Sequence, residues 1–340
     1  MASAIVLFAS CAPKACEGGV APLKVQGTKL YMEGCGDPVA FRGVSFGWHN
    51  LWPRFFNGDA VASLHNDWGV KCFRASIGAD TLGETLNGVS HHPGYIEDPE
   101  AALNCLFAVI DGAIANDCYV LVDWHSHLLH PEEAKAFFTA VATRYKGVPN
   151  VIYELFNEPV SRANEQGLGY IDLGDAEAMA AYWADLKAYA EELIKVITDI
   201  DDSNPLILMS CPCWAQRIDL CAANPVEGYD NLMYVVHFYA GTHKESLRAA
   251  CDGALAAGIP IFISECAACE ASGDGPMDMD SWNAWSEWAT ANDISMMTWS
   301  ISDKNETCSM FIPEATSEGP WAEDVIKPWG KIVKDWINAE

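Results

Sequence analysis

The sequence contains few basic residues. Only 20 Lys and Arg stand against 47 Asp and Glu among 340 residues, which gives a formal net charge of −27. Binding to nucleic acid needs clustered Lys and Arg that displace counterions, so this balance argues against a nucleic-acid partner. Anionic membrane surfaces and polyphosphate substrates are disfavoured for the same reason. A neutral substrate is compatible with this charge, although solubility explains the charge equally well.

Long apolar runs are also missing. No stretch reaches 18 consecutive apolar residues, so we expect no membrane-spanning helix and no membrane partner. The first segment, MASAIVLFASCAPKAC, has a short apolar run followed by small residues. It resembles the end of a secretory signal but lacks a Lys/Arg-rich start. We therefore predict a signal remnant over residues 1–20, one catalytic domain over residues 21–340, and a secreted protein that acts as a monomer.

Paired cysteine motifs of zinc-site spacing are absent. Cys211-Pro-Cys213 and Cys266-Ala-Ala-Cys269 do not form such a motif, so we expect no metal and no cofactor. The 13 cysteines are an odd number, so at least one cannot pair within the chain. Some lie in or beside apolar runs, as small buried residues do: Cys72, Cys118 and Cys266. Three near the start could be bridged, in an order that the sequence leaves open: Cys11, Cys16 and Cys35.

Apolar residues are plentiful, at 50% of the chain. Eight short apolar runs alternate with stretches of helical periodicity, of which 178–198 is the clearest. This alternation predicts a parallel sheet covered by helices, and eight such units predict a single-domain α/β fold, the closed (β/α)8 TIM barrel. No GxGxxG follows the first run, which disfavours a dinucleotide-binding fold. The predicted strands are 39–46, 72–77, 118–124, 150–156, 206–211, 231–238, 260–264 and 295–300.

Polar side chains occur where these predicted strands end. Each alone has an ordinary explanation, such as a hydrogen-bonded structural His or a Trp in the core. However, the carboxyl ends of barrel strands meet on one face, where active sites are built. The sequence therefore predicts that these residues share an active site: Arg74, His125, His127, Asn157, Glu158, His237, Tyr239, Glu265, Trp299, Lys304 and Glu306.

Two carboxylates in this set end apolar strands directly, Glu158 after the fourth strand and Glu265 at the end of the seventh, whereas the third, Glu306, lies further beyond the eighth strand. A buried carboxylate is costly unless it has a partner. Two carboxylates facing each other across a cleft are what glycoside hydrolysis requires, because one protonates the leaving oxygen and the other attacks the anomeric carbon. Pro159 disfavours helical backbone at Glu158 and so holds it at the end of the strand.

The chain resembles glycoside hydrolase family 5, and within it the endo-β-1,4-glucanases, or cellulases. The resemblance rests on segments that span about residues 40 to 306 in the family's order. It implies a (β/α)8 barrel that hydrolyses internal bonds of a β-1,4-glucan polysaccharide by double displacement, with retention of configuration and no cofactor. The segments are GVSFGWHNLWPRFFN, CFRASIG, VDWHSH, VIYELFNEP, VVHFYAGTH, IFISECA, ASGDG and TWSISDKNE.

The resemblance also implies catalytic roles. Glu158 matches the general acid/base and Glu265 the nucleophile. Asn157 is expected to bond the 2-hydroxyl of the sugar at the cleavage site. Arg74 and Tyr239 are expected to orient the Glu265 carboxylate.

Further matches are implied around the reacting sugar. His237 is expected near Glu158, and His125 is expected to line the floor. Trp299 matches the aromatic platform beneath the sugar ring, and its peptide bond to Ser300 is expected to be cis.

The remaining implied contacts bind sugar units on the non-reducing side of the cut. Lys304 and Glu306 match residues that bond sugar hydroxyls there. His49 and Trp52, from the GWHNLW segment, are expected to line the same side. Trp214, after the fifth strand, is a further candidate for stacking on a sugar.

One departure from the family concerns the wall beside the nucleophile. Family members usually carry Trp or Phe and then Gly at this point, where this chain has Cys266 and Ala267. Glu154, four residues before Glu158, matches no catalytic role, and we interpret it as structural.

The expected protonation states follow from neighbouring charges. Arg74 and Tyr239 should favour the charged form of Glu265. The like charge of Glu265 should in turn keep Glu158 protonated in the resting enzyme. A retaining mechanism further requires the two carboxyl groups to lie about 5–5.5 Å apart.

Three other functions remain open at this point. A metal-dependent amidohydrolase barrel could use His125 and His127 with His237 and His243, although that fold places its His pair on the first strand. A non-catalytic sugar-binding barrel would make no use of the two carboxylates. A mannanase, xyloglucanase or mixed-linkage glucanase would share the fold and the mechanism.

Overall fold

The structure is a computed structural model that describes residues 19–82, 85–86, 89–164, 167–170 and 175–339. At residues 85–86, 89–90, 161–164 and 167–170 it describes the backbone alone. Cys11, Cys16 and all but the last two residues of the predicted signal remnant lie outside these ranges. Cys35 is disulfide-bonded. Within the described ranges, no helix combines the length and the apolar character needed to cross a membrane.

The described strands are β1 (Leu23–Gln26), β2 (Lys29–Met32), β3 (Arg42–Phe46), β4 (Cys72–Gly78), β5 (Thr85–Leu86), β6 (Val89–Ser90), β7 (Tyr119–His125), β8 (Val151–Glu154), β9 (Ser161–Asn164), β10 (Gly167–Tyr170), β11 (Ile207–Ser210), β12 (Leu232–Tyr239), β13 (Ile261–Ala267) and β14 (Met296–Ile301). Eight of them close into a parallel barrel in the order β3-β4-β7-β8-β11-β12-β13-β14. The predicted (β/α)8 fold is confirmed. All eight predicted strands are present, but β4 continues to Gly78, so Arg74 lies within this strand rather than at its end.

The described helices are α1 (Gly58–Trp68), α2 (Pro99–Ala115), α3 (Pro131–Arg144), α4 (Ala176–Ile200), α5 (Pro212–Ala215), α6 (Ile218–Ala223), α7 (Glu245–Ala256), α8 (Met279–Ala291) and α9 (Pro328–Ile337). The predicted helix over 178–198 corresponds to α4. Its start is capped by the Asp175 carboxylate, which accepts a hydrogen bond from the Ala178 N–H at 2.9 Å. Its predicted apolar face is buried against the barrel, from Met179 to Ile197.

Strand alternation separates two apolar layers. In β7, Val120 and Val122 pack into the large layer between strands and helices. Leu121 packs into a smaller cluster inside the barrel. Because successive side chains of a strand point to opposite faces, Asp123 and His125 continue the inward series towards the carboxyl end.

The amino-terminal end of the barrel is covered by the antiparallel hairpin of β1 and β2. Leu23 and Leu30 of this hairpin belong to the inner cluster. The Tyr119 hydroxyl donates a hydrogen bond to the Ala21 carbonyl at 2.6 Å, which joins the hairpin to β7. The barrel interior is therefore apolar at this end, and its polar residues lie at the other end.

Candidate active site

A cavity of about 240 Å³ opens at the carboxyl ends of the barrel strands. A larger depression of about 460 Å³ lies beside the start of α8, but neither Glu158 nor Glu265 lines it. We take the smaller cavity as the candidate active site because it brings both carboxylates together with the predicted aromatic residues. Its lining consists of Trp48, Leu51, Trp52, Leu82, His125, His127, Asn157, Glu158, Tyr239, Glu265, Ala271, Ser272, Gly273, Trp299, Lys304 and Glu306.

Polar residues beneath this cavity also follow from strand alternation. In β4, Phe73 and Ala75 pack outward, which leaves Arg74 between them pointing into the barrel. In β8, Tyr153 packs outward and Glu154 points inward. Arg74 and Glu154 are both fully buried.

A β-bulge in β13 brings Glu265 into the cavity. Val235 pairs with Phe262 and His237 pairs with Glu265, so β13 has one residue more than β12 over the same stretch. The pairing with β14 shows the same irregularity. Phe262 points into the barrel, and strict alternation from it would turn Glu265 outward. The bulge lets both Ser264 and Glu265 face the interior.

The two carboxylates face each other closely. One oxygen of Glu158, one oxygen of Glu265 and a ring nitrogen of His237 all lie within 4.8 Å of one another. The Tyr239 hydroxyl donates a hydrogen bond to Glu265 Oε1 at 2.7 Å. Arg74 Nη1 donates another to Glu265 Oε2 at 2.9 Å. Glu265 is therefore held from two sides by donors.

Glu158 has different partners, namely two imidazoles. Its Oε1 lies 3.1 Å from His237 Nδ1, and its Oε2 lies 3.3 Å from His127 Nε2. Burial by itself would raise the pKa of the Glu158 carboxyl, but the hydrogen bonds with His127 and His237 lower it well below its usual range. The expectation that Glu265 keeps Glu158 protonated is therefore wrong, because the two imidazoles outweigh the like charge.

Arg74 connects several of these groups from below. Its Nη2 lies 2.9 Å from Asp123 Oδ2, and its Nε and Nη2 donate to the two oxygens of Glu154 at 2.8 and 3.1 Å. Burial alone would lower the pKa of the guanidinium, but Asp123, Glu154 and Glu265 raise it. Nη2 also donates to Asn157 Oδ1 at 2.8 Å. Within the described residues the Asn157 Nδ2 group has no partner, so it is available to a substrate hydroxyl.

Asp123 also orients His125. Its Oδ2 accepts a hydrogen bond from His125 Nδ1 at 2.6 Å. Burial raises the pKa of Asp123 to about 6, although Arg74 opposes the rise. Burial and the positive charge of Arg74 lower the pKa of His125 well below its usual value. His125 is therefore neutral.

The raised pKa of Asp123 predicts a pH-dependent contribution to stability. Its native pKa of about 6 exceeds the ordinary value of roughly 3.9, so its favourable contribution is present below pH ~4 and is lost as the pH rises through ~6. Asp123→Asn removes this titration. Between pH 4 and pH 7 the free energy of unfolding of the variant should therefore rise by up to about 3 kcal/mol relative to the wild type. Urea denaturation at both pH values measures this difference, and a difference that does not change with pH would contradict it.

Aromatic rings form one wall of the cavity. His125 stacks on Trp299 with ring centroids 5.4 Å apart and an angle of 12° between the planes. Trp48 meets the edge of His125 at 4.3 Å and stacks on His127 at 5.8 Å. The Trp299–Ser300 peptide bond is cis, as the family resemblance predicts. Trp48 was not predicted, although it directly precedes His49 in the GWHNLW segment.

The two residues predicted from that segment occupy different places. Trp52 lines the cavity. His49 is buried and is not among the lining residues, and its Nδ1 accepts a hydrogen bond from the Gly78 N–H at 3.0 Å. Burial and the neighbouring His125 lower the pKa of His49 to about 3, so this imidazole is neutral.

Another part of the cavity lining comes from the loops that follow β13 and β14. Lys304 and Glu306 line the cavity and form an ion pair at 2.6 Å. The Cys308 N–H donates to the Gly273 carbonyl at 3.0 Å, which joins the two loops. Trp214 is 36% exposed, has a φ of 53°, and is not among the residues that line the cavity.

Cys266 and Ala267, where the chain departs from the family, do not line the cavity. Both side chains are fully buried in the outer apolar layer, and Cys266 Sγ contacts the Met297 carbonyl at 3.3 Å. Three small residues of the loop after β13 line the cavity instead: Ala271, Ser272 and Gly273. The segment ASGDG contains these three residues, but only the fold shows that they line the same cavity as Glu265.

In the part of the chain that the structure describes, three of the histidines that an amidohydrolase would use as metal ligands bind different neighbours. His125 binds Asp123, and His127 contacts Glu158. His243 Nδ1 accepts a hydrogen bond from the Tyr239 N–H at 2.9 Å. Each of these three imidazoles therefore has its own hydrogen-bond partner.

Comparison with known proteins assigns the family. The family model described as cellulase (glycosyl hydrolase family 5) matches residues 32–305. The chain belongs to glycosyl hydrolase family 5. It is therefore a glycoside hydrolase.

Several endoglucanases are similar over most of this chain. Endoglucanase Z of Dickeya dadantii is 34% identical over 333 residues, which cover 95% of this chain and 70% of the relative. Endoglucanase A of Evansella cellulosilytica is 34% identical over 308 residues, which cover 89% of this chain and 57% of the relative. The chain thus spans little more than half the length of the second relative.

A solved endoglucanase structure is similar over nearly its whole length. The catalytic domain of Thermobifida fusca endoglucanase Cel5A, in complex with cellotetraose, matches with a TM-score of 0.78 and 28% identity. The match covers 93% of this chain and 97% of that domain.

Proposed function

We propose that this family 5 enzyme is a retaining endo-β-1,4-glucanase that hydrolyses cellulose and related β-glucans. The observation that carries the proposal is the separation of Glu158 and Glu265, whose nearest oxygens lie within 4.8 Å of each other. Retaining glycosidases hold their two carboxyl groups roughly 5–5.5 Å apart, whereas inverting ones need roughly 6.5–9.5 Å to admit a water. The names of the relatives and the cellotetraose bound by Cel5A support a β-1,4-glucan as substrate.

In the first step, Glu265 attacks the anomeric carbon while Glu158 passes a proton, which it takes from the imidazoles in contact with it, to the departing glycosidic oxygen. Arg74 and Tyr239 fix the two oxygens of Glu265, so that little reorganisation is needed before attack. The bond from carbon to the leaving oxygen breaks, and a covalent glycosyl–enzyme forms on Glu265.

In the second step, Glu158 acts as general base. It removes a proton from a water that attacks the anomeric carbon, and Glu265 leaves as a carboxylate. Two inversions restore the β configuration. Glu158 therefore serves first as the acid and then as the base, so it must both lose and regain a proton in each catalytic cycle.

The cavity lining supplies contacts for a neutral sugar. Trp299 provides an apolar surface for the face of the reacting sugar ring. Asn157 Nδ2, which has no partner within the described residues, donates to its 2-hydroxyl, while Lys304 and Glu306 bond hydroxyls of the next sugar. Trp52 adds a second apolar surface on this side. We also propose secretion, because an insoluble polymer cannot reach an enzyme inside a cell.

The products formed from several polysaccharides test this function. We expect carboxymethylcellulose and barley β-glucan to lose viscosity before much reducing sugar appears, with cello-oligosaccharides as products. Proton NMR of a fresh digest should show the β anomer first, and a chelator should not reduce the rate. Appearance of the α anomer first would contradict retention. Faster cleavage of mannan or xylan would assign a different glycanase activity.

A further inference from the structure

Two thiols lie in contact between the loops that follow β13 and β14. Cys269 belongs to the first of these loops and Cys308 to the second. Each side chain is only 1% exposed, and the two thiols are hydrogen-bonded to each other. Both are free thiols in the structure. The sequence shows Cys269 only as half of a CxxC segment, so its pairing with Cys308 arises from the fold alone.

The backbone around these thiols is already held in place. The Cys308 N–H donates to the Gly273 carbonyl at 3.0 Å. The Thr307 N–H donates to Asp274 Oδ1 at 3.1 Å, and the Thr307 hydroxyl donates to the Gly275 carbonyl at 2.7 Å. A disulfide needs its two cysteines close together before it forms without strain. Hydrogen bonds between the two loops provide that closeness, so a bond between the sulfurs requires little movement of the backbone.

The thiol pair also contacts residues that line the cavity. Cys308 Sγ donates to Glu306 Oε1 at 3.4 Å, while Glu306 Oε2 pairs with Lys304 at 2.6 Å. Gly273 lines the cavity and has a φ of 83°, and a Cβ atom at this position would lie 3.2 Å from Cys308 Sγ. The chemical state of Cys308 therefore bears directly on Glu306, one of the predicted sugar-binding residues.

The surroundings of Cys308 indicate when a disulfide could form. The hydrogen bond with Cys269 and burial raise the pKa of the Cys308 thiol well above its usual value. Because the thiolate is the reactive form, this thiol reacts slowly once the protein is folded. Pairing therefore belongs to the time of folding, in an oxidising compartment such as secretion provides. The same burial then shields the finished bond from reductants.

We propose that Cys269 and Cys308 are a disulfide site that joins the two loops and prepares Glu306 to bind sugar. The inference rests on the proposed function, in which Glu306 bonds a sugar hydroxyl and the enzyme is secreted. Two S–H bonds break and one S–S bond forms. The two protons and two electrons pass to a disulfide oxidant, such as oxidised glutathione or a thiol–disulfide oxidoreductase, which is reduced to two thiols.

This bond improves sugar binding in two ways. It removes the hydrogen that Cys308 donates to Glu306 Oε1, so this oxygen can accept a hydrogen from a sugar hydroxyl instead. It also fixes both loops before substrate arrives, which lowers the entropy lost on binding. The chemical step should change little, because Glu158 and Glu265 lie at strand ends rather than on these loops.

Peptide mapping tests the bond itself. The full chain is produced in the bacterial periplasm, where thiols are oxidised, and in the cytosol, where they stay reduced. After free thiols are alkylated, the periplasmic protein should yield a linked peptide pair containing Cys269 and Cys308, lighter by two hydrogens than the separate peptides. The cytosolic protein should yield both peptides alkylated. Alkylated Cys269 and Cys308 in the periplasmic protein would overturn the proposal.

Stability and kinetics test the consequence of the bond. Wild-type protein from the periplasm should melt at a higher temperature than wild-type protein from the cytosol. This difference should exceed that of Cys308→Ser by about 3–6 °C. The KM for cellotetraose should be about threefold lower in the periplasmic wild type than in the cytosolic wild type, with kcat little changed. Equal KM values in the two forms would contradict the role in sugar binding.

A second buried pair of thiols provides the matched control. Cys221 Sγ lies 3.3 Å from Cys211 Sγ, and neither residue lines the cavity. The difference in KM should disappear in Cys308→Ser and in Cys269→Ala but persist in Cys221→Ser. A difference that survives Cys308→Ser would overturn the proposal. Failure of the proposed function would appear differently, as no hydrolysis of β-1,4-glucan by either form, whereas the linked peptide is detected without any assay of activity.

Discussion

Glu265→Ala is expected to abolish hydrolysis, with kcat on cello-oligosaccharides lowered about 10⁴-fold or more. Without the carboxylate no glycosyl–enzyme can form, and water must attack without a covalent intermediate. Binding should persist, because the sugar contacts through Trp299 and Asn157 are unchanged. Initial rates and calorimetric titration with cellotetraose measure the two effects separately. The matched control is Glu270→Ala, which removes an exposed carboxylate from the loop after the same strand and should leave kcat unchanged.

A small anion provides a sharper test of the same residue. In the Glu265→Ala protein, azide can enter the vacated space and attack an activated substrate such as 2,4-dinitrophenyl β-cellobioside directly. A single inversion then yields the α-glycosyl azide. Turnover that survives the substitution, or rescue that yields the β product, would exclude Glu265 as the nucleophile.

The second large loss of activity is expected on replacement of Glu158, and the size of this loss should depend on the leaving group. In Glu158→Ala, cello-oligosaccharides lose proton donation, and we expect kcat/KM to fall about 10²–10⁴-fold. For 2,4-dinitrophenyl β-cellobioside the first step needs no proton, so kcat/KM should remain within about tenfold of the wild type. The glycosyl–enzyme should then accumulate, since the second step still lacks its base, and a burst of dinitrophenol would report this.

Glu158→Gln is the matched variant for this experiment. It keeps the size of the side chain and hydrogen-bonding atoms for His127 and His237, but it cannot transfer a proton. It should therefore share the dependence on the leaving group. A loss of the same size with both substrates would argue that Glu158 serves binding rather than acid catalysis.

Much of the barrel is predictable because its strands are buried on both faces. Strands of this kind appear as short, nearly continuous apolar runs, and all eight are found within the predicted ranges or a few residues from them. The helix α4 is predictable for a related reason, since its apolar residues recur at steps of three and four. The inward or outward direction of a side chain is harder to predict, because a continuous apolar run does not mark which face is which.

The bulge in β13 illustrates this limit. The sequence IFISECA gives no sign of a β-bulge. However, the extra residue of the bulge makes both Ser264 and Glu265 point into the barrel. Similarly, the sequence shows His127 only as part of a His-x-His pair. Its contact with Glu158 arises because the ends of β7 and β8 are neighbours in the barrel. Bulges and neighbours depend on strand register, which is a property of the whole sheet.

The sequence alone determined the class of this molecule: a barrel with glutamates after its fourth strand and on its seventh, in the motif order of one enzyme family. Those features are local, because each strand and motif is a short run of adjacent residues. The tertiary structure decided the electrostatics of the site. Glu158 contacts imidazoles 31 and 79 positions away in the chain, and hydrogen bonding and charge act over distances that only the closed barrel sets.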